Sequence, residues 1–247
     1  MKGSIPEMVV TSESWLVSSN TKPSGNLESY LKLKYPKKHD HYRFENFFQF
    51  QNDTGIVTDW NEQRNLFASE DFIVGLIEGL EEEVGSASTV VMYNIGFEWG
   101  TRDAKFFQQW FEKEYGKNIR EVNSLFMLEA WWWPFTASGW GNWEVDMSDH
   151  KNGFMFVNIF DSAVARTLGD VGKPVCYLYA GLFAGFFSNI VKKALSCIEI
   201  QCYSMGETYC KFLLGTQDRI DAAAFWHNEG ATARDIEKRL RHGERLG

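Results

Sequence analysis

The stretch Val175–Gly215, VCYLYAGLFAGFFSNIVKKALSCIEIQCYSMGETYCKFLLG, decides how this chain is read. Val175 to Val191 is apolar, and Gly181, Ala184, Gly185 and Ser188 recur at helical spacing. It reads as a central helix with one smooth stripe that another element can approach closely. Ser196 to Tyr203 and Thr208 to Leu214 read as a hairpin turning at Gly206. Four candidate ligands punctuate these elements. Cys176 opens the helix, Glu199 sits on the first strand, and Cys202 and Cys210 flank the turn. Two readings fit: buried inert thiols, common in reduced cores, or a closed site in which three thiolates and a carboxylate hold Zn²⁺ tetrahedrally. The second needs a bulge or a strand end between Glu199 and Cys202, because side chains three apart on a regular strand face opposite ways. Cys197 fits no ligand spacing and reads as core. Lys173 and Lys211 are near enough in sequence to offset some of the charge of such a site.

Working outward, Asn142–Met147 alternates Trp143, Val145 and Met147 with polar residues, a half-buried strand. Gly153–Phe160 is apolar on both faces, as a strand covered on both sides should be. Upstream, Ser69 caps a helix with Phe72, Ile73, Leu76, Ile77, Leu80 and Val84 at helical spacing, closed by Gly85. Ser88 is expected to start a second helix through Trp99, with Gly96 and Gly100 on one side. Ala104–Tyr115 is expected to form a third, and Ile119–Trp131 a fourth, stopped by Pro134. Tyr42–Phe50 and Gly55–Trp60 flank Gln51–Thr54 as a hairpin. Residues 1–41 read as a polar N-terminal arm with apolar anchors at Trp15–Val17, Leu31 and Leu33. Residues 216–247 read as a C-terminal helical extension whose last helix is capped by Thr232, with Asp235 at its third position. Helices followed by strands, a helix and a hairpin argue for α+β rather than a doubly wound sheet.

Composition bounds the function. The 247 residues are 44% hydrophobic and 16% aromatic, ample for a core, and the net charge of −8 speaks against a general nucleic-acid binder. The start carries no secretory pattern. The longest apolar run, Val175–Phe187, is too short to span a bilayer. Four cysteines in that setting point to a reducing, cytoplasmic environment, peripheral to a membrane complex at most.

Pro174-Val175-Cys176, Ala180-Gly181, Ala184-Gly185, Glu199-x-x-Cys202, Gly206 and Cys210-Lys211-Phe212 together resemble the 4-vinyl reductase domain family, described as hydrocarbon-binding and a structural cousin of a vesicle-trafficking component. The pattern is similar in particular to the sensor domains of aromatic-responsive bacterial activators. There a Cys, a Glu and two further Cys at this spacing bind structural zinc, which implies Zn²⁺ on Cys176, Glu199, Cys202 and Cys210. Gly96–Ala104 resembles the family's Gly-rich helix with its Arg-Asp pair, and Gly141–Val145 the strand after it, so the likeness runs over residues 42–215. It implies an α+β domain with an antiparallel sheet, helices packed on it, a ligand pocket between them, a zinc-clamped C-terminal hairpin and a homodimer. This chain departs from those activators in two respects. It has no GxxxxGK[ST] phosphate loop, and no histidine between His41 and His150 to hold a phenol hydroxyl.

A pocket for a small hydrophobic ligand needs a concave aromatic wall with a few polar groups. Phe97, Trp99, Phe126, Trp132, Trp143 and Phe156 are the candidate aromatics, and Ala180 and Ala184 the smooth floor. Trp131, Trp133, Phe135 and Trp140 lie in the same segments. Three adjacent indoles at Trp131–Trp133 cannot all face one core, so at least one is expected at a pocket or a partner. The reading favoured is a non-catalytic binding domain for an aromatic, lipid or tetrapyrrole-like ligand. Alternatives are an assembly factor with a protein partner among tetrapyrrole-bearing, photosynthetic complexes, and, last, an accessory to vinyl-tetrapyrrole reduction. No GxGxxG follows a strand to support the last.

Overall fold

A four-stranded antiparallel sheet with helices on both faces organises residues 43–244, which the computed structural model describes. The expected N-terminal arm, 1–41, lies outside them. The chain enters through a short helix α1 (Phe44–Phe47) and a three-stranded sheet β1 (Phe48–Gln51), β2 (Ile56–Asp59) and β3 (Arg64–Asn65). Its first turn is the expected hairpin, with Gln51 paired to Ile56 and Phe48 to Asp59. Helix α2 (Glu70–Val84) follows Ser69 and ends at Gly85, whose φ is positive, as its spacing predicts.

Two helix boundaries differ from expectation. The second and third helices are one, α3 (Ser88–Tyr115), because Thr101-Arg102-Asp103 contains no breaker and the glycines before it are packed rather than bent. Helix α4 (Ser124–Ala137) starts later than predicted and runs past Pro134. Its start is set by Asn123, whose Oδ1 accepts from the amides of Leu125 (2.9 Å) and Phe126 (3.4 Å); Ile119–Glu121 forms only a turn of 3-10 helix. Pro134 removes one amide near the end of the helix, and Ser138 closes it by donating its N–H (2.9 Å) and Oγ–H (2.7 Å) to the Pro134 carbonyl.

The main sheet has the order β4 (Asn142–Asp146), β5 (Phe154–Phe160), β7 (Cys210–Gly215), β6 (Ser196–Gln201). Between β5 and β6 lie α5 (Ala163–Leu168) and α6 (Tyr177–Val191), the central helix. Alternation sorts the side chains of the sheet. Met155, Val157, Ile159, Phe212 and Leu214 join Trp143 and α6 in the main core with α3 and α4. Phe154, Phe156 and Leu213 point the other way, under α7 (Gln217–Asn228) and α8 (Ala233–Arg241). Those two helices occupy the region read as a C-terminal extension, and they explain why β5 is apolar on both faces. Thr232 and Asp235 form the expected capping box.

The helical layer is held by interlocked glycines. A Cβ on Gly96 or Gly100 of α3 would lie 2.1 Å from the Leu178 or Leu182 carbonyl of α6. One on Gly181 or Gly185 would lie 2.0 or 2.1 Å from the Tyr93 or Phe97 carbonyl of α3. The smooth stripe predicted on α6 therefore meets a second smooth stripe, and the two backbones touch. No helix among the described residues is long and apolar enough to cross a membrane.

Candidate metal centre and aromatic core

Cys176, Glu199, Cys202 and Cys210 converge, their ligand atoms all within 4.8 Å of one another and all four side chains buried. Cys176 sits at the N-cap of α6, and Glu199 on β6. Cys202 lies just past the end of β6, and Cys210 begins β7. The register between β6 and β7 slips between Glu199 and Gln201, the irregularity needed to bring both Glu199 and Cys202 to one side. The sulfurs are 3.6 Å (Cys202–Cys210), 3.8 Å (Cys176–Cys210) and 4.0 Å (Cys176–Cys202) apart. Tetrahedral zinc with Zn–S bonds of about 2.3 Å separates its sulfurs by about 3.8 Å. One carboxylate oxygen, Glu199 Oε2, accepts the Cys176 N–H at 2.9 Å; the other, Oε1, is buried with no hydrogen-bond partner. An orphaned carboxylate oxygen beside three sulfurs at these spacings fits a metal ion.

The surroundings orient this donor set. Ser204 Oγ lies 2.9 Å from Cys202 Sγ and 2.6 Å from the Lys173 carbonyl, and Ser162 Oγ lies 3.7 Å from Cys176 Sγ. Both serines are fully buried. Neither stood out in the sequence; for Ser204 the only signal is its place two residues after Cys202. The two lysines do not offset the charge: Lys173 pairs with Glu81 and Lys211 with Glu237, each at 2.7 Å. Burial pushes the Cys176 thiol and the Glu199 carboxyl well up. Thiol hydrogen bonds from Cys176 and Cys210 instead hold Cys202 down at about 2. Cys197 is buried outside the cluster, as expected.

The candidate aromatics divide. Trp143 is 1% exposed, with Phe135 (4.7 Å between centroids), Phe183 (5.2 Å), Trp131 (5.7 Å) and Tyr179 (6.0 Å) around it. Its indole Nε1–H has no acceptor. Half-buried Trp99 joins this group through Phe135 (5.7 Å) and Trp140 (5.1 Å). Phe126, Trp132, Ala180 and Ala184 are buried in the same core, with Phe97 half-buried against it. Phe126 makes its ring contacts elsewhere, with Phe111 and Tyr115. Phe156 stands on the opposite face of the sheet, under α7 and α8, because even-numbered β5 residues point away from α6. The three adjacent tryptophans serve two cores: Trp131 and Trp132 face the main one, and Trp133 meets Phe47 and Phe48. Trp131 stacks on Phe186 at 3.5 Å and donates its N–H to Asp103 at 2.6 Å. Burial raises that carboxyl to about 6, against the lowering effect of the indole.

The segment from β5 to the end of β7 thus carries the whole metal cluster and the central helix. Residues 155–216 match the 4-vinyl reductase domain. That is the family that the ligand spacing resembles. Two uncharacterized proteins of Methanocaldococcus jannaschii are similar to parts of the chain. One is 38% identical over 56 residues, 23% of this chain and 35% of the relative. The other is 27% identical over 66 residues, 27% of this chain and 38% of the relative. The chain therefore spans little more than a third of the length of these relatives. Among solved structures, the phenol-responsive sensory domain of the transcription activator PoxR, with phenol, superposes at a TM-score of 0.56. The match covers 69% of this chain and 85% of that one at 21% identity, which shows a shared fold. A vinyl-4-reductase family protein from Methanocaldococcus jannaschii aligns at a TM-score of 0.38 and 19% identity over 58% of this chain and 75% of that one, and no argument rests on it.

Proposed function

We propose that this chain is a non-catalytic binding domain for a planar, largely apolar small molecule that carries a hydrogen-bond acceptor, with a structural zinc ion on Cys176, Glu199, Cys202 and Cys210. The observation that carries the reading is the Trp143 indole N–H, buried without an acceptor inside a wall of aromatic rings. A buried unpaired donor costs about 1–3 kcal/mol, and an oxygen of a bound ligand would remove that cost. Trp99, Phe135, Tyr179 and Phe183 supply planar faces around it, and Ala180 and Ala184 the smooth floor of α6. Similarity in fold to a phenol-responsive sensory domain supports a small-molecule ligand. The absence of a histidine between His41 and His150 argues for a ligand other than simple phenol. Four protein ligands leave zinc no open position, so the ion would clamp the start of α6 to the β6–β7 hairpin rather than activate water.

The test is titration with phenol, 2-naphthol, a free-base porphyrin and a fatty acid, followed by tryptophan fluorescence and calorimetry, with zinc measured in parallel. We expect saturable binding of at least one planar acceptor-bearing compound and about one zinc per chain. Trp143→Phe should weaken that compound by about tenfold without lowering the melting temperature of the free protein. Failure of every compound to bind, or equal affinity in the variant, would overturn the ligand reading; metal-free protein with reactive thiols would overturn the zinc.

A further inference from the structure

None of the fifteen residues of α2 is buried. Ile73 and Ile77 pack on the main core, but the other side of the helix carries Phe72 (56% exposed), Gly75, Leu76 (37% exposed) and Gly79 on one face. Nothing lies within 4 Å of a Cβ built on either glycine. Where this fold sets glycines four apart in α3 and α6, another backbone rests on them; on α2 no described residue does. Internal glycines weaken a helix, so an uncovered pair flanked by exposed Phe72 and Leu76 is a surface shaped for close approach. The apolar strip continues back through Leu66 (86% exposed) and Phe67 (42% exposed).

The charge around the strip selects its occupant. Helix α2 has six acidic residues and no Lys or Arg. Glu81 is paired to Lys173, and Glu70 accepts from Thr167. Asp71, Glu78, Glu82 and Glu83 lie exposed beside the glycines. Two copies of this face would repel, whereas a basic, apolar segment would not. The chain contains such a segment, Tyr30–Lys38 (YLKLKYPKK), with Leu31, Leu33 and Tyr35 among Lys32, Lys34, Lys37 and Lys38 and no acidic residue. It also ends in the right place. The Phe44 ring lies 6.2 Å from the Phe67 ring, three residues before α2 begins. Residues 39–42 span up to about 14 Å when extended, and α2 is about 22 Å long. A tether this short holds the segment at high effective concentration against the helix.

We infer that the exposed face of α2 is the docking site of the chain's own segment Tyr30–Lys38, with Leu31 and Leu33 over Gly75 and Gly79 and the lysines against Asp71, Glu78, Glu82 and Glu83. The test is zero-length carbodiimide coupling of the full chain, in an equal mixture of isotopically light and heavy protein, read by mass spectrometry of the cross-linked peptides. The expected result is amide links from lysines 32–38 to α2 carboxylates within chains of a single isotope. Leu31→Asp with Leu33→Asp keeps every lysine and should cut those links several-fold. Gly79→Leu, placed into open space, should do the same while the melting temperature holds. Links found only between light and heavy chains would assign the face to a second copy. No links, with α2 amides exchanging at the rate of an open helix, would assign it to a separate partner; either outcome overturns the proposal.

Discussion

At the scale of single residues, the chain concentrates chemistry where burial leaves polar atoms few options. Cys202 is the most committed of the four ligands, receiving hydrogen bonds from two thiols and lying 2.9 Å from Ser204 Oγ. Cys202→Ser should lose the metal and lower stability, in a fold whose zinc site contributes up to about 10–16 kcal/mol of binding free energy by analogy with small zinc peptides. Cys197→Ser, outside the cluster, should keep the metal. Metal analysis beside thermal melting reads both, and an unchanged melting temperature in Cys202→Ser would count against the clamp. Asp103 makes a second residue-scale case. Its folded pKa of about 6 lies above the ordinary carboxylate value, so its ionisation opposes folding. That cost is fully present above pH 6 and disappears as the pH falls through 6 toward 4. Asp103→Asn keeps an acceptor for Trp131, and at pH 7 should stabilise the protein by roughly 1–3 kcal/mol, discounted for partial exposure. Denaturation at pH 7 and pH 4 should show the gain only at the higher pH. Asp103 escaped the sequence reading because its partner Trp131 lies on another helix, so only the packed structure reveals its burial.

At the scale of elements, the crossing of α3 and α6 bears the closest contacts. Gly181→Ala would drive a methyl group to 2.0 Å from the Tyr93 carbonyl, a backbone atom with no side chain to yield. We expect a loss of about 3 kcal/mol or somewhat more, at the upper end of overpacking effects, measured as a fall in the denaturant midpoint with an unchanged slope. The glycine stripes of both helices were legible from spacing alone. That they meet each other was not, because periodicity marks which face is smooth without naming the element laid against it. The same limit explains the merged helix α3: glycines that read as weak points between two helices are, once covered, part of one continuous rod.

At the scale of the whole molecule, the clamp joins the two layers. It ties the first turn of the central helix to the hairpin at one edge of the sheet, so its loss should be felt throughout. Thiolate ligands must be deprotonated to bind, so acid returns protons to the sulfurs and weakens the metal. Zinc retained after dialysis should fall as the pH is lowered, and the melting temperature should fall with it. Retention unaffected by acid or chelator would contradict a thiolate site. By itself, the sequence determined the metal quartet, the alternating strands, the hairpin bulge and the smooth faces, because each depends on local spacing, ligand chemistry or backbone periodicity. Only the tertiary structure decided which face of β5 carries Phe156, that Trp131–Trp133 divide between two cores, and that Lys173 and Lys211 pair away from the cluster. The reason is that a strand apolar on both sides, a run of indoles or a lysine near a cysteine leaves several partners equally open until the layers pack.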